Sequence, residues 1–121
     1  MSLYVVEKLV KDVIVLDLMG QIRLGEPTAV LRQKVKQLVE AGNTRIILDL
    51  EDVTYIDSVG LSTLVASYTT TFKAGGHLRL VNLTTRLRDL LQITHLSTVF
   101  EVYDSLDAAL NSFGMPPAPQ S

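Results

Sequence analysis

The sequence predicts an α/β domain: a mixed sheet of about five strands, antiparallel at its first strand, with helices mainly on one face. Three observations carry that prediction. Two β-patterned runs, Leu3–Glu7 and Val13–Met19, stand side by side at the start with only a short turn between them. Helical stripes and short apolar strands then alternate three times before a closing helix, and strands joined through helices run parallel with right-handed crossovers. Finally, Ile14, Leu16, Leu18, Ile46, Leu48, Leu50, Leu78 and Leu80 form one purely apolar face, whereas the other mixes Val15, Ile47 and Val81 with Asp17, Asp49 and Arg79. A sheet covered equally on both sides shows continuous apolar runs instead. A chain of 121 residues suits one core of this kind.

Lys11-Asp12 supplies the first turn, and Gly20 is expected to break the second strand. Pro27 fits the first turn of a helix in which Val30, Leu31, Val35, Leu38 and Val39 recur at helical spacing; Gly42 or Asn43 ends it as a left-handed residue. Arg45–Leu50 is the next strand. A seven-residue loop, Glu51 to Asp57, then leads into a helix over Ser58–Lys73, whose Leu61, Leu64, Val65, Tyr68 and Phe72 form an inward stripe. Ala74-Gly75-Gly76 closes it. His77–Asn82 reads as a strand, Thr84–Gln92 as a short helix with Leu87, Leu90 and Leu91 inward, and Val99–Val102 as the last strand. Asp104 is the expected cap of a final helix, with Asp107 in its first turn. The domain is placed at 1–113, and the Pro-rich tail 114–121 reads as disordered.

Composition excludes several function classes. Eleven basic against 13 acidic side chains leave a net charge of −2, which argues against direct nucleic-acid binding by phosphate neutralisation. The four Tyr and three Phe are too dispersed for a base-stacking platform. Without cysteine there is no disulfide, thiolate zinc site or thiol catalysis, and two histidines, His77 and His95, do not support a His-rich metal centre. No cofactor or metal is therefore expected. No run approaches the roughly 18 apolar residues of a membrane span, and Met1–Tyr4 lacks a signal-peptide core, so the expected setting is cytoplasmic without membrane insertion.

The informative stretch is Asp52-Val53-Thr54-Tyr55-Ile56-Asp57-Ser58-Val59-Gly60-Leu61. It follows an apolar strand and opens a helix, at the sheet edge where open α/β domains carry their functional loops. Ser58 falls where free backbone N–H groups and the positive end of the helix dipole tolerate negative charge, including a phosphate. Asp57 or Ser58 could equally be a simple N-cap. Gly60 speaks against that simple role, since glycine inside a helix costs roughly 1 kcal/mol against alanine and adds nothing to capping. Its bare backbone is read as room for another molecule beside Ser58. Opposite the apolar stripe lie Val59, Thr63, Ala66 and Thr70, small and uncharged, the pattern of a contact surface or of a helix covered by a second neighbour. Thr54 is a candidate second phosphosite, though turn hydrogen bonding suits it better.

This strand–loop–helix segment resembles the STAS domain of bacterial anti-sigma-factor antagonists. Gly75-Gly76-His77-Leu78-Arg79-Leu80-Val81-Asn82, Leu90-Leu91-Gln92-Ile93-Thr94-His95-Leu96 and Val99-Phe100-Glu101-Val102-Tyr103-Asp104-Ser105-Leu106 extend the likeness over roughly residues 3–112. The resemblance implies a small right-handed superhelix of strand–helix units and a protein that binds an anti-sigma factor, releasing a sigma factor. It implies that this anti-sigma factor is a serine kinase, that the kinase rather than the antagonist holds Mg-ATP, and that a PP2C-type phosphatase restores the binding form. Carried over, Ser58 is the phosphoacceptor, and Asp57, Ser58, Val59, Gly60, Ser62, Thr63 and Ala66 meet the partner. The domain itself does no catalysis, and weak self-association as a homodimer is left open. A phosphate adds nearly two negative charges to a neighbourhood holding Asp49, Glu51, Asp52 and Asp57 and no arginine. The dianion is thus expected to repel a partner without rearranging the fold.

Two other readings compete. A serine hydrolase would need Ser58 beside His77 or His95, but the Gly-x-Ser-x-Gly elbow is absent, with Ile56 at its first glycine. A STAS subunit that scaffolds without switching, in a stressosome or a lipid-transport complex, would use the same Ser58 patch for permanent association.

Overall fold

A computed structural model describes residues 3–114. In chain order its elements are β1 (Leu3–Val10), β2 (Val13–Ile22), α1 (Glu26–Glu40), β3 (Arg45–Ile56), α2 (Ser58–Lys73), β4 (His77–Val81), α3 (Thr85–Ile93), β5 (Glu101–Tyr103) and α4 (Leu106–Ser112). The sheet order is β1-β2-β3-β4-β5, with β1 antiparallel to β2 and every other pair parallel. The expected mixed five-stranded sheet is the one observed. The expected disordered tail, 114–121, lies outside the described residues except for Gly114.

The two sheet faces differ as the residue pattern predicts. Ile14, Leu16, Leu18, Ile46, Leu48, Leu50, Leu78 and Leu80 join Leu31, Val35 and Leu38 of α1, Leu61 and Leu64 of α2, and Leu87 and Leu91 of α3 in the main core. On the other face, among the described residues, only α4 packs, over Val13, Val15, Ile47 and Val81, with Ala109 buried among them. The polar residues of that face are each engaged. Asp17 pairs with Lys8 at 3.1 Å. Asp49 accepts from Asn82 Nδ2 at 3.2 Å and from the Glu51 amide at 3.1 Å. Arg79 lies under the Phe113 ring, 3.9 Å from its centroid, with Nε 2.9 Å from Glu101 Oε1 at an angle poor for hydrogen bonding.

Several boundaries differ from expectation: β1 runs on to Val10 and β5 is Glu101–Tyr103, not Val99–Val102. Strand β2 continues through Gly20, whose φ is +113°, to Ile22, and β3 continues through the expected loop to Ile56. The two extensions pair with each other, Met19 with Asp52, Gly20 with Val53, Gln21 with Tyr55 and Ile22 with Ile56. Between Asp17 and Met19 strand β2 advances two residues while β3 advances three, so β3 bulges there, and again between Gly20 and Gln21. The bulge lets Leu50 and Val53 both turn inward, three residues apart, and breaks the alternation that marks a strand in sequence. At the last helix Ser105, not Asp104, is the cap: its hydroxyl accepts from the Ala108 amide at 3.1 Å. Helix α1 ends as expected, with Gly42 at φ +90° and the Asn43 and Gly42 amides returning to the Leu38 and Val39 carbonyls at 2.8 and 3.0 Å.

Candidate functional site

The expected site lies where β3 ends and α2 begins, at the C-terminal edge of the parallel strands. Asp57 is the N-cap, in extended conformation, and both of its carboxylate oxygens are engaged. Oδ1 accepts from the Gly60 amide at 2.7 Å, and Oδ2 accepts from the Leu24 amide at 3.0 Å. The Leu24 and Gly60 amides hold this carboxyl below its ordinary value of 3.8. Asp57 therefore ties the segment between β2 and α1 to the start of α2. Ser58 follows as the first helical residue and is exposed. The serine is thus left exposed while its aspartate neighbour does the capping.

Gly60 has a different reason to be glycine than the sequence suggested. It is buried, and a Cβ built on it would stand 1.9 Å from the Ile22 carbonyl oxygen and 2.9 Å from Ile56 Cγ1. The bare backbone lets α2 lie directly against the end of β2; it is not open to a partner. Thr63 is corrected in the same way. It is buried, and its hydroxyl donates to the Val59 carbonyl at 2.9 Å. With Ser67 and Thr71 it forms a buried seam of small residues, four apart, in the helix that α1 packs against. Of the two explanations for an uncharged α2 face, a covering helix accounts for this half. Phe72, expected inward, stacks on Tyr68 with centroids 6.0 Å apart and remains 58% exposed.

Of the small, uncharged α2 residues expected at the contact surface, Ser58, Val59, Ser62 and Thr70 are exposed and Ala66 is half-buried. The sequence reading missed the segment Arg23-Leu24-Gly25. Its Leu24 is 70% exposed beside Asp57, and its exposed Arg23 puts a cation on the rim of the site. The signal was available: adjacent parallel strands deliver their following loops to one edge. The acidic neighbourhood is thinner than expected. Asp49 and Asp52 lie along β3, eight and five residues before Asp57, so at roughly 3.3 Å per residue they stand well back from Ser58. Thr54 sits in β3 with its hydroxyl donating to the Gly20 carbonyl at 3.2 Å. His77 opens β4 level with Arg45, at the opposite end of β3 from Ser58, and His95 lies in a turn at φ +61°. Among the described residues no three His, Asp or Glu side chains gather to hold a metal, and no helix is long and apolar enough to cross a membrane.

Among the described residues, a mixed sheet with three helices on one face and one on the other, and a serine exposed at a helix start, defines a small α/β domain. Residues 4–109 match the STAS domain, and the chain belongs to that family. The Anti-sigma-B factor antagonist of Bacillus subtilis is 40% identical over 73 residues, 60% of this chain and 66% of that protein. An anti-sigma factor antagonist from Mycobacterium paratuberculosis, known from its crystal structure, is 27% identical with a TM-score of 0.77 over 91% of this chain and 92% of its own. The anti-sigma factor antagonist SpoIIAA in its unphosphorylated form shares the fold, with a TM-score of 0.72 at 17% identity over 94% of this chain and all (100%) of its own.

Proposed function

We propose that this protein is an anti-sigma-factor antagonist: unphosphorylated, it binds an anti-sigma factor with serine kinase activity and so frees a sigma factor, and phosphorylation of Ser58 switches that binding off. One observation carries the reading. Ser58 is exposed at the first helical position while both oxygens of Asp57 are occupied in holding the helix start. A hydroxyl so held is accessible to a kinase, and a phosphate there meets the positive helix end without any need to refold the domain. The names of the relatives support the partner class. The accessible contact surface is Ser58, Val59, Ser62 and Ala66, joined by Leu24; Gly60 and Thr63 contribute by shaping it from within. Mg-ATP belongs to the kinase, a PP2C-type phosphatase reverses the modification, and the exchange takes place in the cytoplasm. Incubated with a serine-kinase anti-sigma factor of its own bacterium and Mg-ATP, the protein should gain one phosphate, mapped by peptide mass spectrometry to Ser58. Phosphate on Thr54, Ser62 or Ser105, or undiminished labelling of Ser58→Ala, would overturn the assignment.

A further inference from the structure

The end of β3 and helix α3 enclose an open groove that neither the motif nor the proposed contact surface accounts for. It has a volume of about 580 Å³ and is lined by Tyr55, Ile56, Arg86, Asp89, Leu90 and Ile93. A smaller hollow of about 150 Å³ adjoins it and shares Tyr55, Ile56 and Arg86. Tyr55 is 45% exposed and Ile93 74%, although the rest of α3 follows an amphipathic pattern with Leu87 and Leu91 buried. Arg86 has no ion-pair partner among the described residues, whereas Arg88 two positions on reaches Asp104 at 3.6 Å.

We infer that this groove is a second contact zone for the same protein partner, taking an apolar side chain between Tyr55, Leu90 and Ile93 and a carboxylate against Arg86; the inference rests on the antagonist reading of Ser58. Continuity supports this occupant. Tyr55 and Ile56, which line the groove, directly precede Asp57 and Ser58 in the chain, so the groove begins at the strand end that leads into the serine. With Leu24 and Val59 also exposed, apolar side chains flank the serine from both sides. A tyrosine, an isoleucine and an unpaired arginine in one depression are the composition of an interface anchor. The groove is open along its length, unlike the enclosed cavities that hold small ligands.

The test uses full-length protein and a purified serine-kinase anti-sigma factor from the same bacterium. Ile93→Asp and Arg86→Glu should each weaken binding at least tenfold by calorimetry, with melting temperature and circular dichroism unchanged, while Leu9→Asp on the distant strand β1 should bind as wild type. At saturating protein the kinase should still label Ser58 of Ile93→Asp, so that KM rises and kcat holds. If Ser58→Asp loses binding but both groove variants bind normally, the groove inference fails and the antagonist reading stands. If the wild-type protein binds no anti-sigma factor, both fail. A wild-type dimer in sedimentation that Ile93→Asp dissolves would assign the groove to a second copy and overturn the inference.

Discussion

Replacing Gly60 by alanine adds one methyl group where the structure has no room for it. The new Cβ would lie 1.9 Å from the Ile22 carbonyl oxygen, and real Cβ atoms do not approach closer than about 3.0 Å, so something must open by at least 1.1 Å. The obstacle is backbone, not a side chain that can swing away. Ile22 is paired with Ile56 in the sheet, and its carbonyl accepts from the Asp57 amide at 3.3 Å, so the start of α2 has to lift. Overpacking of this kind costs about 3 kcal/mol. Alanine's better helix propensity returns about 1 kcal/mol. The net loss is therefore about 2 kcal/mol, and at roughly 4 °C per kcal/mol for a domain of this size the melting midpoint should fall by about 8 °C. Differential scanning calorimetry of the purified variant reads this directly. A variant that melts at or above the wild-type temperature would refute the packing role and return Gly60 to the partner surface.

Two further outcomes follow from the same geometry. Because Asp57 titrates below 3.8 in the folded protein, its contribution is complete above that value and is lost as pH falls through the lowered one. Wild type and Asp57→Asn should thus differ in melting temperature at pH 7, and the gap should begin to narrow as pH falls below about 4; a gap that stays constant down to pH 2 would contradict the two-amide clamp. Removing Glu101 leaves the Arg79 guanidinium, whose side chain is 11% exposed, without its carboxylate, while the 35% exposure of Glu101 itself weakens the pair by solvent screening. Urea unfolding of Glu101→Ala should show a loss of about 1–2 kcal/mol, and a change under about 0.5 kcal/mol would show that the Phe113 and Tyr103 rings hold Arg79 without it.

The sheet, its antiparallel first strand and the uneven cover of its faces were legible because alternation reports burial directly: Leu48 and Leu80 face three helices, Asp17 and Asp49 do not. The segment Glu51–Ile56 was not, because a double bulge removes the period of two on which a strand is recognised. Ser58 was legible through its register, the first residue after a strand and its cap. Its surroundings were misassigned for one reason. A glycine or threonine on a helix looks alike in sequence whether a partner or the protein's own backbone fills the space beside it. Gly60 against Ile22 and the buried Thr63 are cases of the latter. Asp57 holding Leu24 joins residues 33 apart, which no local pattern reports.

The most direct test compares unmodified and Ser58-phosphorylated protein in two measurements on the same samples, affinity for the purified anti-sigma factor and melting temperature. An exposed phosphate gains roughly 0.3–1 kcal/mol from the helix N-terminus, offset in part by repulsion from Asp57, so melting should move by only a few degrees. Burying that phosphate without a partner at the interface costs roughly 2–5 kcal/mol, so affinity should fall about 30-fold or more. Equal affinity for the two forms would contradict the switch, and a melting drop of more than about 10 °C would show that the phosphate acts through the fold instead of the contact surface.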